Sequence, residues 1–236
     1  MKLLAFDTST ELISIAVTRE VDGAPRVWQH TGAGGAQASS ALIPAIETLM
    51  AEAGLGFEAL DAIAFGCGPG SFTGLRTACA VAQGLGFGAD VPLLPVDTLL
   101  AVAEEARAQQ GQQAQSLRLL ALLDARMGEL YAAPYAYAQG RWAQQADFSL
   151  LKPEQLALGD AQALAGNVFA EYGERLPLPA DLPCWQALPT AAAMLRLAPA
   201  LLAGGNAVAA ADALPRYIRD KVALTTEERA AAKAAR

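Results

Sequence analysis

At 236 residues and 53% hydrophobic content, with only 6% aromatic, the chain suits one large domain or two modest ones built on small-residue packing. A formal net charge of −7 argues against a stand-alone nucleic-acid binder, whose affinity comes largely from Lys and Arg on phosphates. Three cysteines without a Cys-x-x-Cys pair and a single histidine argue against a disulfide framework and exclude a two-histidine metal site.

The histidine, His30, sits in the strand pattern 26–30 and reads as a surface residue near a strand end rather than as the base of a Ser-His-Asp triad. The longest apolar runs, such as 117–123, are too short to span a bilayer, and Met1-Lys2 leads directly into Leu3-Leu4-Ala5-Phe6-Asp7 without a long apolar leader. The expectation is a cytoplasmic protein with no membrane association.

The first predicted strand covers 3–6, and Ile13, Ile15 and Val17 alternate as a half-buried second strand. Asp22-Gly23-Ala24-Pro25 is turn chemistry that returns the chain into a third strand over 26–30, and 31–35 reads as a loop. A helix starts at Ser39 or Ser40, carries Leu42, Ile43, Ile46, Leu49, Met50 and Ala53 on one face, and is stopped by Gly54 and Gly56; Pro44 lies close enough to its first turn to be tolerated. A strand over 62–65, a glycine-rich turn and a helix over 73–88 follow, then a strand over 91–96 and a helix over 98–108. The glutamine-rich stretch 109–115 reads as a loop between subdomains. Beyond it, a strand over 117–123 ends at Asp124, 130–137 pairs with 142–150 through the turn 138–141, and Thr190 caps a helix over 191–203. A β-β-β-α-β-α order met once and then echoed predicts an α/β fold of two related halves.

Three places carry candidate chemistry. Phe6-Asp7-Thr8-Ser9-Thr10 runs a strand into an acid and hydroxyls; actin-like and hexokinase-like ATPases hold nucleotide phosphates on such a turn, and turn-capping by Asp7 explains it equally well. Gly66-Cys67-Gly68-Pro69-Gly70-Ser71-Phe72-Thr73-Gly74 places glycines between a strand and a helix, the arrangement of an anion seat at a helix N-terminus. It lacks the Gly-Lys pair of a Walker loop, the third glycine of a dinucleotide fingerprint and a Gly-x-Ser-x-Gly elbow, and backbone geometry alone is the other reading. Asp7, Thr8, Ser9, Gly68, Gly70 and Ser71 are therefore the candidate vestigial nucleotide or anion contacts. In the helix behind the loop, Gly74, Ala78, Ala82 and Gly86 stand four apart and let another helix or the chain's own sheet come close.

Ala5-Phe6-Asp7-Thr8-Ser9-Thr10, Gly68-Pro69-Gly70-Ser71-Phe72-Thr73-Gly74-Leu75-Arg76, Ala82-Gln83-Gly84-Leu85, Leu123-Asp124-Ala125-Arg126-Met127-Gly128-Glu129-Leu130-Tyr131, Ala165-Gly166-Asn167 and Pro215-Arg216-Tyr217-Ile218-Arg219 follow one another in the order seen in the TsaB family, which the chain resembles along nearly its whole length. The resemblance implies an actin-like (ribonuclease H-like) fold with one subdomain over 1–108 plus about 206–236 and a second over 109–205. It also implies a catalytic paralogue, TsaD, whose His-x-x-x-His metal motif falls on Thr98 and Val102 here, with both histidines absent. The chain departs from the family pattern at Ala38, where many members have histidine, and at Val168 of Gly166-Asn167-Val168. The alanine-rich tail 230–236 is expected to be disordered.

What the resemblance implies for function is a non-catalytic scaffold with no catalytic residue, metal or cofactor of its own. It would bind TsaD together with the ATPase TsaE, in forming the threonylcarbamoyl group on the adenosine beside the anticodon of tRNAs that read codons beginning with A. Transfer RNA would be met only through that complex. The expected contact is a four-helix one formed by Leu42, Ile46 and Met50 with Gly74, Leu75, Ala78, Val81, Ala82 and Leu85, and a second copy of the chain can take the place of TsaD. The alternatives are an active actin-like ATPase or small-molecule kinase, and a peptidase, for which no nucleophile–base pair is evident.

Overall fold

The computed structural model of the chain describes residues 1–111 and 116–219. The tail 230–236 and part of the glutamine-rich stretch lie outside the described residues. In chain order the elements are β1 (Leu3–Asp7), β2 (Leu12–Val21), β3 (Ala24–Ala33), α1 (Ala38–Ala53), β4 (Ala62–Gly68), α2 (Phe72–Ala89), β5 (Leu93–Asp97), α3 (Thr98–Gln109), β6 (Ser116–Arg126), β7 (Glu129–Ala138), β8 (Arg141–Gln144), β9 (Ser149–Leu151), β10 (Ala163–Gly166), α4 (Phe169–Tyr172), β11 (Cys184–Gln186) and α5 (Ala191–Ala203).

Local chemistry sets most of the boundaries. Asp22 and Gly23, with φ of 52° and 79°, and Gln139 and Gly140, with 52° and 77°, close two-residue hairpins in the left-handed region that such turns need. Gly54 ends α1 at φ 64°. Asp97 and Thr190 accept backbone N–H bonds at the starts of α3 and α5.

The two sheets repeat one topology. The first has the order β3-β2-β1-β4-β5, with β1/β2 and β2/β3 antiparallel and β1/β4 and β4/β5 parallel. The second reads β8-β7-β6-β10-β11 with the same senses, and β9 adds to β7. The two related halves expected from the sequence are therefore present.

Strand alternation then assigns the layers. Leu4, Phe6, Ile63 and Phe65 face α1 and α2 on one side of the first sheet. Leu3, Ala5, Ala64 and Val96 face α5 on the other. Helix α3 sends Leu99, Val102, Ala103 and Ala106 onto Leu119, Ala121 and Leu123 of the second sheet, whose far side is closed by Val168, Tyr172 and Leu176. Helices α3 and α5 thus run between the sheets and tie the halves together.

Three expectations differ in detail. β3 continues through Thr31, Gly32 and Ala33, expected as loop, because these residues pair with Ser14, Ile13 and Leu12. The expected strand over 142–150 divides into β8 and β9, both paired to β7. Ile43, placed on the buried face of α1, is 44% exposed, because the helix turns Leu42 and Ile46 inward instead.

Candidate functional site

Two hairpin turns and a returning segment of chain enclose a cleft between the sheets. The β1–β2 turn supplies Ser9, Thr10 and Glu11, the β4–α2 loop supplies Gly70 and Ser71, and the β6–β7 turn supplies Asp124, Ala125 and Arg126. Arg126 and Met127 hold φ of 62° and 58° ahead of Gly128 at 74°, a run of left-handed backbone rare for residues with a Cβ. That geometry carries the Arg126 guanidinium to Glu11, so an ion pair joins the two turns across the cleft mouth. Asp124 is engaged as well, since its carboxylate accepts from Tyr172 Oη at 2.6 Å and from the Arg126 amide at 2.8 Å.

The segment 213–219 crosses from one half to the other. The Arg216 amide donates to the Cys67 carbonyl at 2.6 Å in the first half, and Tyr217 accepts from Arg76 Nε at 2.8 Å and packs on Phe72 with ring centroids 5.2 Å apart. In the second half, Arg219 donates to Glu129 at 2.7 Å and to the Ala125 carbonyl at 3.1 Å. Beneath this strap lies a cavity of about 280 Å³ with Leu75, Leu123, Tyr131, Asn167 and Ile218 on its walls.

The candidate anion contacts divide between roles. Ser9, Gly70 and Ser71 line the cavity. Asp7 does not; it is 1% exposed, its Oδ1 accepts from the Ser9 amide at 2.9 Å and the Ser9 hydroxyl at 2.7 Å, and its Oδ2 has no partner among the described residues. Burial pushes its carboxyl up to about 6, against the pull of the two Ser9 bonds. The Thr8 hydroxyl donates to the Gly74 carbonyl at 2.6 Å. Gly68, at φ 123°, lies where a Cβ would be 2.5 Å from the Arg216 carbonyl oxygen, and a Cβ on Gly74 would land on the Thr8 carbonyl oxygen. These two glycines admit the chain's own backbone, and Ser71 caps α2 by accepting from the Gly74 amide.

Thr98 and Val102, which the sequence resemblance sets against a histidine motif, have structural roles. The Thr98 hydroxyl accepts from the Gly68 amide at 3.1 Å, and Val102 is in the core. Among the described residues no group of three His, Cys, Asp or Glu is placed to hold a metal ion. His30 is exposed on edge strand β3, away from the cleft walls.

Of the expected partner contacts, Leu42, Ile46, Met50, Gly74, Leu75, Ala78 and Ala82 are buried within the chain, while Val81 and Leu85 are half-buried. The small-residue stripe packs on the first sheet: a Cβ on Gly86 would be 2.9 Å from Leu93. The solvent face of α2 is the opposite one, with Thr73, Ala80, Gly84 and Gly88 exposed, and a Cβ on Gly84 or Gly88 would meet nothing. Between this face and Ser39 of α1 runs a shallow groove bordered by Thr73, Thr77, Ala80 and Val81. The sequence did not reveal the Arg126–Glu11 pair or the Glu104–Arg107–Arg196 cluster between the halves; Asp124-Ala125-Arg126 before β7 was the one signal available for the first.

A family model described as TsaD, tRNA N6-adenosine threonylcarbamoyltransferase, matches residues 33–235. The chain is 34% identical to the tRNA threonylcarbamoyladenosine biosynthesis protein TsaB of Escherichia coli K12, over 94% of this chain and 96% of that one. It is 32% identical to the protein of the same name from Haemophilus influenzae, over 94% and 95%. The solved structure of YeaZ from Pseudomonas aeruginosa superposes with a TM-score of 0.80 at 38% identity, covering 92% of this chain and 99% of that one. Another, described as an uncharacterized protein with similarity to peptidase YEAZ from the same organism, gives 0.80 at 37%. The fold is the actin-like, two-subdomain one expected, and with relatives above 30% identical across almost its whole length the chain belongs to the TsaB family.

Proposed function

We propose that this chain acts in tRNA threonylcarbamoyladenosine biosynthesis as a cytoplasmic, non-catalytic subunit that binds a TsaD-type paralogue and holds it in a competent shape. The names of its relatives support the pathway. The observation that carries the scaffold reading is the use made of Thr98 and Val102, the positions that the family resemblance sets against the paralogue's histidines: the Thr98 hydroxyl accepts from a backbone amide and Val102 is a core side chain. A subunit that favours one conformation of its partner contributes binding free energy to an equilibrium and needs no reactive group of its own. A TsaE-type ATPase joins the assembly, and tRNA is met through it.

The docking surface belongs to the α1–α2 pair, on its outward side: Ile43, Ala80, Val81, Gly84 and Phe87, the last 66% exposed, give an apolar strip, and a Cβ on Gly84 would meet nothing among the described residues. Without the paralogue, the same strip serves a second copy. Ala80→Arg is expected to keep the melting temperature and abolish capture of the TsaD-type paralogue, together with its support of tRNA modification in a reconstituted reaction. A folded Ala80→Arg protein that still binds with unchanged affinity moves the interface elsewhere. Calorimetry of the isolated chain with Mg-ATP separates this reading from an actin-like ATPase, for which micromolar binding and turnover are required.

A further inference from the structure

The cavity beneath the 213–219 strap has an unbalanced set of hydrogen-bonding groups. Tyr131 is 7% exposed, lines the cavity, and its hydroxyl makes no hydrogen bond among the described residues. The Asn167 side chain accepts from the Asp124 amide at 2.9 Å through its oxygen, which leaves its NH₂ group unused among the described residues. Arg219 Nε is buried without a partner among the described residues. Arg216 makes no ion pair among the described residues and instead lies over the Phe148 ring at 5.3 Å. The two carboxylates on the walls, Glu11 and Asp124, already carry Arg126.

Each of these is a donor: Arg219 Nε is buried, where a missing acceptor is costly, while Tyr131, Asn167 and the exposed Arg216 offer theirs to the cleft. The group that would satisfy them is rich in acceptors and negatively charged, a carboxylate or a phosphate. Leu75, Leu123 and Ile218 give the remaining wall an apolar character. A bare inorganic ion would leave that surface uncovered, and about 280 Å³ is at the small end of ligand sites. We propose that this cleft binds a small organic anion, its carboxylate or phosphate head toward Tyr131, Asn167, Arg216 and Arg219 and its apolar body against Leu75, Leu123 and Ile218. The binding is independent of whether the chain also docks a paralogue.

The test is calorimetry and thermal shift on the full chain with benzoate and phenyl phosphate, against acetate, inorganic phosphate and phenol. One of the two aromatic anions is expected to bind and raise the melting temperature, and which one does so identifies the head group. Tyr131→Phe and Arg216→Ala, each measured separately, should weaken that binding about tenfold, the loss of one charge-assisted hydrogen bond. Phenol binding as tightly as the anions would mean an apolar hole, and inorganic phosphate binding as tightly as phenyl phosphate would mean a bare anion seat; either overturns the proposal. So does the absence of binding by both probes up to about 10 mM, well above the range of a specific site, or affinity unchanged in both variants.

Discussion

The Tyr135 phenol, on β7 of the second sheet, donates to the carboxylate of Asp97, the residue that ends β5 of the first sheet and caps α3. One hydrogen bond therefore links a strand of one half to a helix start of the other. Burial pushes the Asp97 carboxyl up to about 6, and the Tyr135 bond works against that rise. Tyr135→Phe removes the donor while keeping the ring. At pH 7.5 the ionised Asp97 then keeps its backbone bond from Leu99 but loses the phenol donor on its other oxygen, and the loss should be about 1–3 kcal/mol. Below pH 6 Asp97 takes up its proton and the loss should shrink. Denaturant unfolding of both proteins at pH 7.5 and 5 checks this; an equal loss at both values would show that ring packing, not the hydrogen bond, is what Tyr135 supplies.

Asp7 gives a second pH dependence. Its folded-state value of about 6 lies above the ordinary 3.8, so the native state binds the proton more tightly than the unfolded chain. The contribution to stability is complete below the ordinary value and is lost as the pH rises toward about 6. Asp7→Asn keeps an acceptor for Ser9 and removes the buried charge. It should be more stable than the parent by about 2 kcal/mol at pH 7.5 and close to it at pH 4, a difference that isolates this group from all other titrations. A variant that is less stable than the parent at pH 7.5 counts against a burial cost on Asp7.

What the sequence made legible was local. The caps at Gly54 and Thr190 and the Asp22-Gly23 turn are each decided by a residue and its immediate neighbours, and they stand where they were expected. The extent of β3 was not legible, since only pairing with Ile13 and Leu12 turns Gly32 and Ala33 from loop into strand. The stripe on α2 announced close approach but not the partner: the Thr8 carbonyl and Leu93, which Gly74 and Gly86 admit, lie in other elements. The cleft was half legible for the same reason. Ser9, Gly70 and Ser71 sit in motifs that read as an anion seat, whereas Arg216 and Tyr131 reach the cavity only through the strap and the second sheet.

The two faces of α2 respond oppositely to added carbon. Gly74→Ala drives a Cβ into the Thr8 carbonyl and Ala82→Leu adds three carbons to a site with no exposure; each should cost up to about 3 kcal/mol. Gly84→Ala meets open space and should gain about 0.5–1 kcal/mol from helix propensity. Melting curves of the three variants check the assignment. A stabilised Ala82→Leu protein would place the stripe outside the core.

The largest single loss is expected at Glu104, which is 2% exposed between the two sheets. Arg107 donates to both its oxygens at 2.9 Å, Arg196 of α5 to Oε1 at 2.9 Å, and Trp142 Nε1 of β8 to Oε2 at 2.9 Å. Burial alone pushes this carboxyl up, but the donors from Arg107, Trp142 and Arg196 hold it below its ordinary value. Its sign is therefore opposite to that of Asp7: the contribution is present above the ordinary carboxylate value and is lost as the pH falls through the lowered one. Glu104→Ala leaves Arg107, 8% exposed, without its counter-charge and removes the bonds that Arg196 of α5 and Trp142 of β8 make to this residue of α3, a loss of about 3–5 kcal/mol. Glu154, paired with Arg175 at 2.7 Å on the surface, is the control; Glu154→Ala should leave unfolding unchanged within error. Equal effects of the two substitutions would mean that the Glu104 cluster is no more than a solvated ion pair. A loss confined to Glu104, accompanied by faster amide exchange in both α3 and α5, would identify it as the joint between the halves.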